Sequence, residues 1–396
     1  MRVMYCWELG GGLGHLARFA PWARELASRG VEIVYVLRDL AAAARLEGLP
    51  PGERVQAPVL LLGPLAPGFE PASYAEVLLY NGYGNAETLG ALVQGWRSLI
   101  RLARADLIIA DFAPSAMLAA RLAGLPLVHL GDGYTIPPDS AGGASFGREA
   151  AQDPLRFIRA DARVLACVNQ VIDVTGAAPL SAIGDLQTAS ETILATYPEL
   201  DHYWQAVRTN AFQGHFGGQR AAPGETAHLA QVLAYLKPGA AHFDAVTALL
   251  ARLPVRSLVY AGGLVRDGGA GADWSARPLD MGALLQGCDL VICHGGHGLV
   301  CEALLAGRPV LILPTAYEQV LTARNVERIG AGVWVHPAND ARKLKRALDR
   351  CLDEPGLTAA AAKFSARHAQ GLAQSTARLA DHAGRLLSLA KRGAAA

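Results

Sequence analysis

The chain has 396 residues, of which 52% are hydrophobic and 18% charged, and its formal net charge is +1. This length leaves room for two domains of ordinary size. The near-zero charge argues against a nucleic-acid-binding protein, and no apolar run approaches the roughly 20 residues of a membrane span. The six cysteines are scattered along the chain, as is typical of reduced thiols, so we expect a cytoplasmic protein. The absence of a long apolar run predicts that it has no integral membrane segment.

The N-terminal segment opens on a strand pattern, Arg2 to Trp7, rather than on a signal peptide, and a run of glycines follows it. The next helical pattern places apolar residues on one face at Leu16, Phe19, Ala23 and Leu26. Val31 to Leu37 predicts the second strand. A strand, a glycine-rich loop, a helix and a strand together indicate the start of a Rossmann-like domain.

Two interpretations of this glycine-rich loop compete. Gly12 to Ala17 matches the GxGxxA fingerprint, and Asp39 lies about 20 residues further on, as in a flavin or nicotinamide enzyme. The same loop carries His15 at the start of the helix, and a histidine is not part of that fingerprint. A lone histidine in a loop is more often solvated or structural, so the loop alone does not decide.

The segment from Leu107 to Asp111 predicts a buried strand that ends in an acid, followed by a helix over Ser115 to Ala123 and a strand over Leu127 to Leu130. An acid at the carboxyl end of a strand faces the ligand crevice of an α/β sheet. Asp111 is therefore a candidate site residue. The alternative is that it caps the following helix.

Domain organisation follows from the middle of the chain. Residues 131–160 indicate a long loop and a helix, and Glu191 to Thr196 indicates the last strand of the first domain. The Gly- and Pro-rich stretch then predicts a linker. We expect an N-terminal domain at 1–212, a linker at 213–230 and a C-terminal domain at 231–375, with a final segment at 376–396. The second domain is predicted to begin with a strand at Val232 to Leu236, a helix at Phe243 to Leu253, a strand at Ser257 to Tyr260 and a loop at Gly262.

Residues 287–332 carry the clearest motif. Asp289 to Cys293 predicts a buried strand, a turn with three glycines follows, and a helix then runs to Gly307 before a strand at Val310 to Leu313. The turn residues are His294, Gly295, Gly296, His297 and Gly298. Glycines let a ligand approach the backbone, and the helix start presents free N–H groups, so we expect a phosphate site here. Tight packing of strand and helix is the alternative.

The polar residues of this stretch fit a nucleotide-sugar. His294 can donate to a diphosphate oxygen, Glu302 can accept from ribose hydroxyls, and Glu318 and Gln319 can bind sugar hydroxyls. Zinc is the competing interpretation of Cys293, His294, His297 and Cys301. Their spacing fits no common zinc pattern, and we expect the strand to splay the side chains apart, so no metal is predicted. The cysteines, Cys288 included, are expected to be small buried hydrophobes.

The combined spacing resembles the donor-binding signature of the UDP-glycosyltransferase family, which includes macrolide and plant glycosyltransferases and glucuronosyltransferases. The matching residues are His294, Gly296, Glu302, Gly307, Pro309, Pro314, Glu318 and Gln319. Where the family often has Trp-x-Pro-Gln, residues 277–280 keep only Pro278. The resemblance implies an α/β protein of the GT-B fold, with two Rossmann-like domains facing across a cleft and the last helix packing back on the first domain.

The resemblance also implies the site. His15 would be the general base and Asp111 the residue that orients it, while donor contacts would come from Gly14, Gly262, His294, Gly295, Gly296, His297, Gly298, Glu302, Glu318 and Gln319. In such enzymes, residues 63–90 and 131–160 shape the acceptor pocket. Tyr80, Tyr83, Trp96, Tyr134 and Phe146 are candidates for its lining, or for ordinary packing.

The predicted function is that of an inverting, metal-independent hexosyltransferase, which moves a sugar from a UDP- or dTDP-sugar to a hydroxyl of a small molecule. We expect no bound cofactor, no nucleic-acid partner and a monomer or homodimer. Three alternatives stay open: a nucleotide-sugar epimerase of the same fold, a flavin- or NAD-dependent oxidoreductase that uses the N-terminal glycine-rich loop, and a non-catalytic accessory subunit.

Overall fold

The computed structural model describes residues 1–44, 46, 48–61, 63, 70–138, 144–146, 153–216, 231–266, 271–336 and 340–393. The chain divides into two compact units. The first unit comprises Met1–Gly214 and Thr376–Ala396, and the second comprises His215–Ser375. Most of the expected linker, from 217 to 230, lies outside the described residues, as do 139–143 and 147–152 of the loop predicted before the long helix.

The first unit is built on a six-stranded sheet in the order β3-β2-β1-β4-β5-β6, with every pair parallel. The strands are β1 (Arg2–Trp7), β2 (Glu32–Leu37), β3 (Glu53–Gln56), β4 (Leu107–Asp111), β5 (Leu127–Gly131) and β6 (Glu191–Leu194). The helices are α1 (Gly14–Ser28), α2 (Leu40–Ala43), α3 (Tyr74–Leu78), α4 (Ala86–Ala103), α5 (Pro114–Leu122) and α6 (Pro154–Asp173).

The second unit repeats the design with a parallel sheet in the order β12-β11-β10-β7-β8-β9. Its strands are β7 (Val232–Tyr235), β8 (Ser257–Tyr260), β9 (Ala272–Ser275), β10 (Leu290–Cys293), β11 (Val310–Ile312) and β12 (Gly332–Trp334). Its helices are α7 (Phe243–Leu250), α8 (Met281–Leu284), α9 (His297–Leu305), α10 (Tyr317–Arg328), α11 (Ala341–Asp353) and α12 (Pro355–Ala373).

The last helix, α13 (Ser375–Gly393), packs on the first unit. Its Leu379, Ala383, Leu386 and Ala390 are buried. Polar contacts add to the packing, since Arg29 donates to the carbonyl of Ala380 at 2.7 Å and His382 Nδ1 lies 2.7 Å from Glu191 Oε1.

Apolar periodicity explains why these elements form. Strands β4 and β10 are buried at every position, as expected where a parallel sheet is covered by helices on both faces. The predicted apolar face of α1 is buried at Leu16, Phe19, Ala23 and Leu26. Likewise, the apolar face of α11 is buried at Leu344, Ala347, Leu348 and Cys351.

Several element ends differ from the prediction by one residue, and two further differences have a local physical reason. The helix that starts at Phe243 ends at Leu250 rather than at Leu253, because Pro254 disfavours helical backbone in the residue before it. The strand that starts at Glu191 ends at Leu194, where the N–H of Thr196 turns back onto the carbonyl of Leu194.

The strand orders determine where a ligand site belongs. In each sheet the chain first builds outward on one side and then crosses to the other, so the order reverses between β1 and β4 and between β7 and β10. Ligands of open α/β sheets bind beyond the carboxyl ends of the strands at such switch points. His15 and Asp111 lie at the first switch point, and His294 follows β10 at the second.

Candidate active site

His15 and Asp111 meet at the carboxyl edge of the first sheet. The His15 imidazole lies 2.8 Å from Asp111 through Nδ1 and Oδ1, and the Asp111 side chain is fully buried. A carboxylate only accepts hydrogen bonds, so Nδ1 donates, and in the neutral imidazole Nε2 then keeps its lone pair. The expected alternative for Asp111 is wrong, because the N-cap of α5 is Ala113 and Asp111 does not cap that helix.

The glycine loop after β1 leaves room for the free nitrogen of His15. A Cβ on Gly10, whose φ is +78°, would lie 2.7 Å from His15 Nε2. The imidazole also stacks on Trp7, with ring centroids 5.4 Å apart. Sequence reasoning chose Gly14 in this loop and missed Gly10; the structure places Gly14 at the first position of α1, with open space at its Cα.

Asp111 is held by further buried polar groups that sequence reasoning also missed. The Tyr5 hydroxyl donates to Asp111 Oδ2 at 3.3 Å, and Arg18 Nη1 lies 3.8 Å from Oδ1. Arg18 Nη2 donates to Asp132 Oδ2 at 2.8 Å. The one available signal was spacing, since Arg18 follows His15 by about one helical turn and therefore shares its face of α1.

Phe112 follows Asp111 in a left-handed backbone conformation, with φ of +48°. Such a φ is costly for an aromatic residue, and strained residues cluster at functional sites. Its carbonyl accepts from the N–H of Leu9 at 2.9 Å, and its ring centroid lies 6.2 Å from that of His15. The turn thus ties the end of β4 to the loop after β1.

Glu8, at the end of β1, is a buried carboxyl beside this site. The N–H of Ser115 donates to its Oε2 at 2.9 Å, which places Glu8 at the start of α5. Burial raises the pKa of Glu8 to about 7, although hydrogen bonds from Ser115 and Ala116 oppose that shift. Ser115 in turn hydrogen-bonds the buried Tyr83 hydroxyl at 2.8 Å.

The aromatic candidates for an acceptor pocket divide into two groups. Tyr83, Trp96 and Phe146 are buried and pack in the core of the first unit. Tyr80 donates to the carbonyl of Gly63, and Tyr134, which is half-buried, stacks on Phe146 with ring centroids 4.7 Å apart.

The second unit places the predicted phosphate turn between β10 and α9. Gly295 has φ of +90°, and a Cβ there would lie 2.7 Å from Ile312 Cγ2, so only glycine fits. Gly296 is the N-cap of α9 without a side-chain cap, His297 is its first residue, and Gly298 follows. The first N–H groups of a helix have no partner within the helix itself, and this arrangement favours an anion there.

His294 stands at the carboxyl end of β10. Burial lowers the pKa of His294, and the ammonium of Lys237 lowers it further. Lys237, exposed and just beyond β7, was not singled out from the sequence, yet it follows the neighbouring strand at the same switch point. Gly262, with φ of +60°, follows β8 in the same way.

The remaining predicted donor residues lie on α9 and α10. Glu302 Oε1 is 3.2 Å from Nε2 of the buried His215, a partner that sequence reasoning missed because it lies far away in the chain. Gln319 Oε1 accepts from the Thr315 N–H at 2.8 Å and therefore closes the start of α10. Glu318 is half-buried in the first turn of that helix.

The cysteines of the second unit are buried, as expected for small hydrophobes. Burial raises the pKa of Cys293 to about 12. One expectation is wrong: His297 and Cys301 are not splayed apart, since Nε2 and Sγ lie 3.5 Å from each other one turn along α9. Within the described ranges, no group of three His, Cys, Asp or Glu side chains could hold a metal ion. No helix of that part of the chain is long and apolar enough to cross a membrane.

The fold is that of the GT-B glycosyltransferases, as expected. The chain is similar to spinosyn rhamnosyltransferase SpnG over 96% of its own length and all of that chain, with a TM-score of 0.67 and 20% identity. It is also similar to the calicheamicin glycosyltransferase CalG4 over 98% of both chains, with a TM-score of 0.69 and 19% identity. At these identities the likeness establishes the fold.

Sequence relatives point the same way. Residues 275–376 match the family described as "Erythromycin biosynthesis protein CIII-like, C-terminal domain". The erythronolide mycarosyltransferase of Saccharopolyspora erythraea is 34% identical over 105 residues, which are 24% of this chain and 25% of that protein. The NDP-glycosyltransferase YjiC of Bacillus subtilis (strain 168) is 44% identical over 52 residues, 13% of each chain. The matches thus span a quarter or less of these relatives, and they confirm the resemblance to glycosyltransferases.

Proposed function

We propose that this protein is an inverting, metal-independent glycosyltransferase of the hexosyltransferase class, which moves a sugar from a nucleotide-diphospho-sugar to a hydroxyl of a small molecule. The observation that carries the proposal is the 2.8 Å hydrogen bond between His15 Nδ1 and Asp111 Oδ1. It fixes the tautomer of the imidazole and leaves Nε2 as a base.

The proposed reaction begins at Nε2. This nitrogen takes the proton of the acceptor hydroxyl while the acceptor oxygen attacks the anomeric carbon from the face opposite the diphosphate. The bond from that carbon to the diphosphate oxygen breaks, and the nucleoside diphosphate leaves with the electron pair. Asp111 stabilises the imidazolium that forms, which is the role of the acid in a catalytic triad.

The leaving diphosphate would be stabilised by the second unit. The N–H groups at the start of α9 and the positive end of its dipole favour an anion, and His294 and Lys237 stand beside that turn. We assign the ribose hydroxyls to Glu302 and the sugar hydroxyls to Glu318 and Gln319. Gly14, Gly262 and Gly295 to Gly298 are the proposed backbone contacts of the donor.

The relatives support a finer assignment of substrates. SpnG has been solved with thymidine diphosphate, and the glycosyltransferase VinC with dTDP. Segments of this chain also align with an aclacinomycin-T 2-deoxy-L-fucose transferase and with a 10-deoxymethynolide desosaminyltransferase. We therefore propose a dTDP- or UDP-sugar as donor and a hydroxylated antibiotic-type aglycone as acceptor.

The test combines binding and turnover. Thermal unfolding is followed with UDP, dTDP, GDP and NAD, because a ligand at a hundred times its Kd stabilises the fold by roughly 2.7 kcal/mol. Nucleoside diphosphate release from dTDP- and UDP-sugars is then measured with and without a panel of hydroxylated aglycones. A shift with dTDP or UDP together with acceptor-dependent release supports the proposal.

Other outcomes identify the alternatives. Conversion of the donor without any acceptor points to an epimerase, and a thermal shift with NAD alone points to an oxidoreductase. Binding of dTDP or UDP without any turnover across the panel points to an accessory subunit. Each of these three results contradicts the proposed transferase.

A further inference from the structure

We propose that Arg18 and Asp132 are positioning residues, which limit the buried negative charge facing His15 to a single unit. This inference rests on the proposed function, since it concerns the same histidine. Neither residue is placed to touch an acceptor in our proposal. Both act through Asp111.

The geometry links the three elements that surround the dyad. Arg18 projects from α1, where Nη1 lies 3.8 Å from Asp111 Oδ1, the oxygen that also accepts from His15. Its Nη2 donates at 2.8 Å to Asp132, which follows β5. Asp132 is itself fixed, because its Oδ1 accepts from the N–H of Tyr134 at 3.0 Å. Arg18 is only 7% exposed and Asp132 only 2%, so water screens these charges little.

Three titratable groups that face this network, Tyr5, His129 and His202, are neutral at pH 7. Burial raises the pKa of Tyr5 well above its usual value. Burial lowers the pKa of His129 to about 4 and also lowers the pKa of His202. The nearby charges of Asp201 and Arg208 form their own buried ion pair and cancel.

The charge count then follows from the remaining described groups. Arg18 carries one positive charge, and Asp111 and Asp132 carry one negative charge each, so the network holds a net charge of −1. Arg18 neutralises one of the two carboxylates, and the remaining negative charge can stabilise the imidazolium of His15 that forms during turnover. Without Arg18, two buried carboxylates would face His15 and hold it in the protonated form, which cannot act as a base.

Charge balance predicts opposite effects for the two single substitutions. Arg18→Met makes the network more negative, whereas Asp132→Asn makes it more neutral and keeps an oxygen to accept from Tyr134. The double variant Arg18→Met/Asp132→Asn restores the original net charge, and Arg18→Lys keeps the charge while losing the two-pronged geometry. Arg156→Met is the matched control, since it breaks an ion pair with the buried carboxylate of Glu76 in the same unit.

The direct measurement is an NMR titration of the imidazole Cε1–Hε1 signals in the full-length protein with labelled histidine. The His15 signal is assigned by its loss in His15→Gln. We expect the titration midpoint of His15 to rise by about one pH unit in Arg18→Met and to fall by a similar amount in Asp132→Asn. The titration midpoint of His15 should stay close to the parent value in the double variant, in Arg18→Lys and in the control Arg156→Met.

A packing role gives a different pattern. Midpoints that stay fixed in both single variants, or that move in the same direction, overturn the proposal, as does a double variant whose shift is not restored. If one single variant fails to fold, the other still decides, because a midpoint that stays at the parent's value in that variant overturns the proposal. Glu8 titrates in the same range, so the series is repeated in Glu8→Gln.

The titration needs no acceptor, which separates this inference from the proposed function. If the midpoints move as expected and no sugar donor is turned over, the charge balance holds and the transferase assignment fails. Where transfer is measurable, the acid limb of the profile of kcat/KM against pH should move with the NMR midpoint, upward for Arg18→Met and downward for Asp132→Asn.

Discussion

The two sheets end in sites of opposite construction. At the edge of the first sheet, the candidate site is formed by side chains. A buried network of hydrogen bonds and ion pairs holds His15, Asp111, Arg18 and Asp132. At the edge of the second, the backbone of a glycine turn and a helix start form the proposed diphosphate site, with His294 half-buried and Lys237 exposed beside it. A base needs one fixed orientation, whereas a diphosphate can be bound by several N–H groups at once.

This difference predicts that substitutions at the first site stop the chemistry and those at the second weaken binding. The largest effect is expected for His15→Ala, which removes the proposed base. Transfer should fall by about 10²- to 10⁴-fold, the usual contribution of a general base, while the affinity for dTDP or UDP stays unchanged. Steady-state transfer and nucleotide titration of the same preparation measure both quantities.

Asp111→Asn is the companion to that variant, because it keeps the shape of the side chain and removes its charge. It should lose transfer to a similar extent without losing nucleotide affinity. An equal loss of nucleotide binding in His15→Ala and Asp111→Asn would make the dyad a structural element rather than the base.

The second expected effect concerns stability and is confined to the first unit. The pKa of Glu8 is raised in the folded state to about 7 from 4.5. The folded state therefore binds the proton more tightly, and this contribution to stability, complete below pH 4.5, is lost as the pH rises through 7. Glu8→Gln should remove that loss and raise the free energy of unfolding at pH 8 by up to about 3 kcal/mol.

Chemical unfolding of Glu8→Gln at pH 4.5 and pH 8 measures this effect. The gain should appear at pH 8 and be nearly absent at pH 4.5. Glu53→Gln, at an exposed position of β3, is the control and should change neither value by more than about 0.5 kcal/mol. An equal gain in the free energy of unfolding at both pH values would show that burial does not raise the pKa of Glu8.

The third prediction concerns the space that Gly10 leaves beside Nε2 of His15. Gly10 and Gly12 both have positive φ, at +78° and +81°, but only a Cβ on Gly10 would meet His15 Nε2, whereas a Cβ on Gly12 would meet nothing within 4 Å. Both alanine variants should lose about 1 kcal/mol of stability from backbone strain. Only Gly10→Ala should also lose transfer, by about tenfold or more, since a shift of about 1 Å at a reacting atom has that consequence.

Unfolding midpoints and initial transfer rates of the two glycine variants, measured in parallel, test this prediction. Equal losses of transfer in Gly10→Ala and Gly12→Ala would attribute the effect to strain in the loop and not to contact with Nε2.

The smallest expected effect belongs to the second site. His294→Ala should weaken dTDP or UDP binding by about tenfold, which corresponds to the loss of one charge-assisted hydrogen bond of about 1.4 kcal/mol. Because the helix start remains, binding should persist. Isothermal titration calorimetry compares this variant with His336→Ala, an exposed histidine of the same unit, which should bind like the parent. Unchanged affinity in His294→Ala would remove His294 from the diphosphate site.

Local patterns in the sequence determined the architecture. Apolar runs such as Leu107 to Asp111 and Leu290 to Cys293 predict buried strands because period and composition are properties of neighbouring residues. The glycine turn at 294–298, followed by an apolar helix, predicts a phosphate site for the same reason, and the resemblance at 287–332 extends it to the GT-B fold.

Only the tertiary structure decided which side chains meet. His15 and Asp111 are 96 residues apart, and Arg18 and Asp132 are 114 apart. His215 and Glu302, which pair in the second unit, are separated by 87 residues. Strand order and register bring such residues together, and neither is encoded in a local pattern. Local patterns therefore left Asp111 between two roles, of which the family resemblance favoured one, and they gave no sign of the partners of Arg18 or of the room that Gly10 leaves for Nε2.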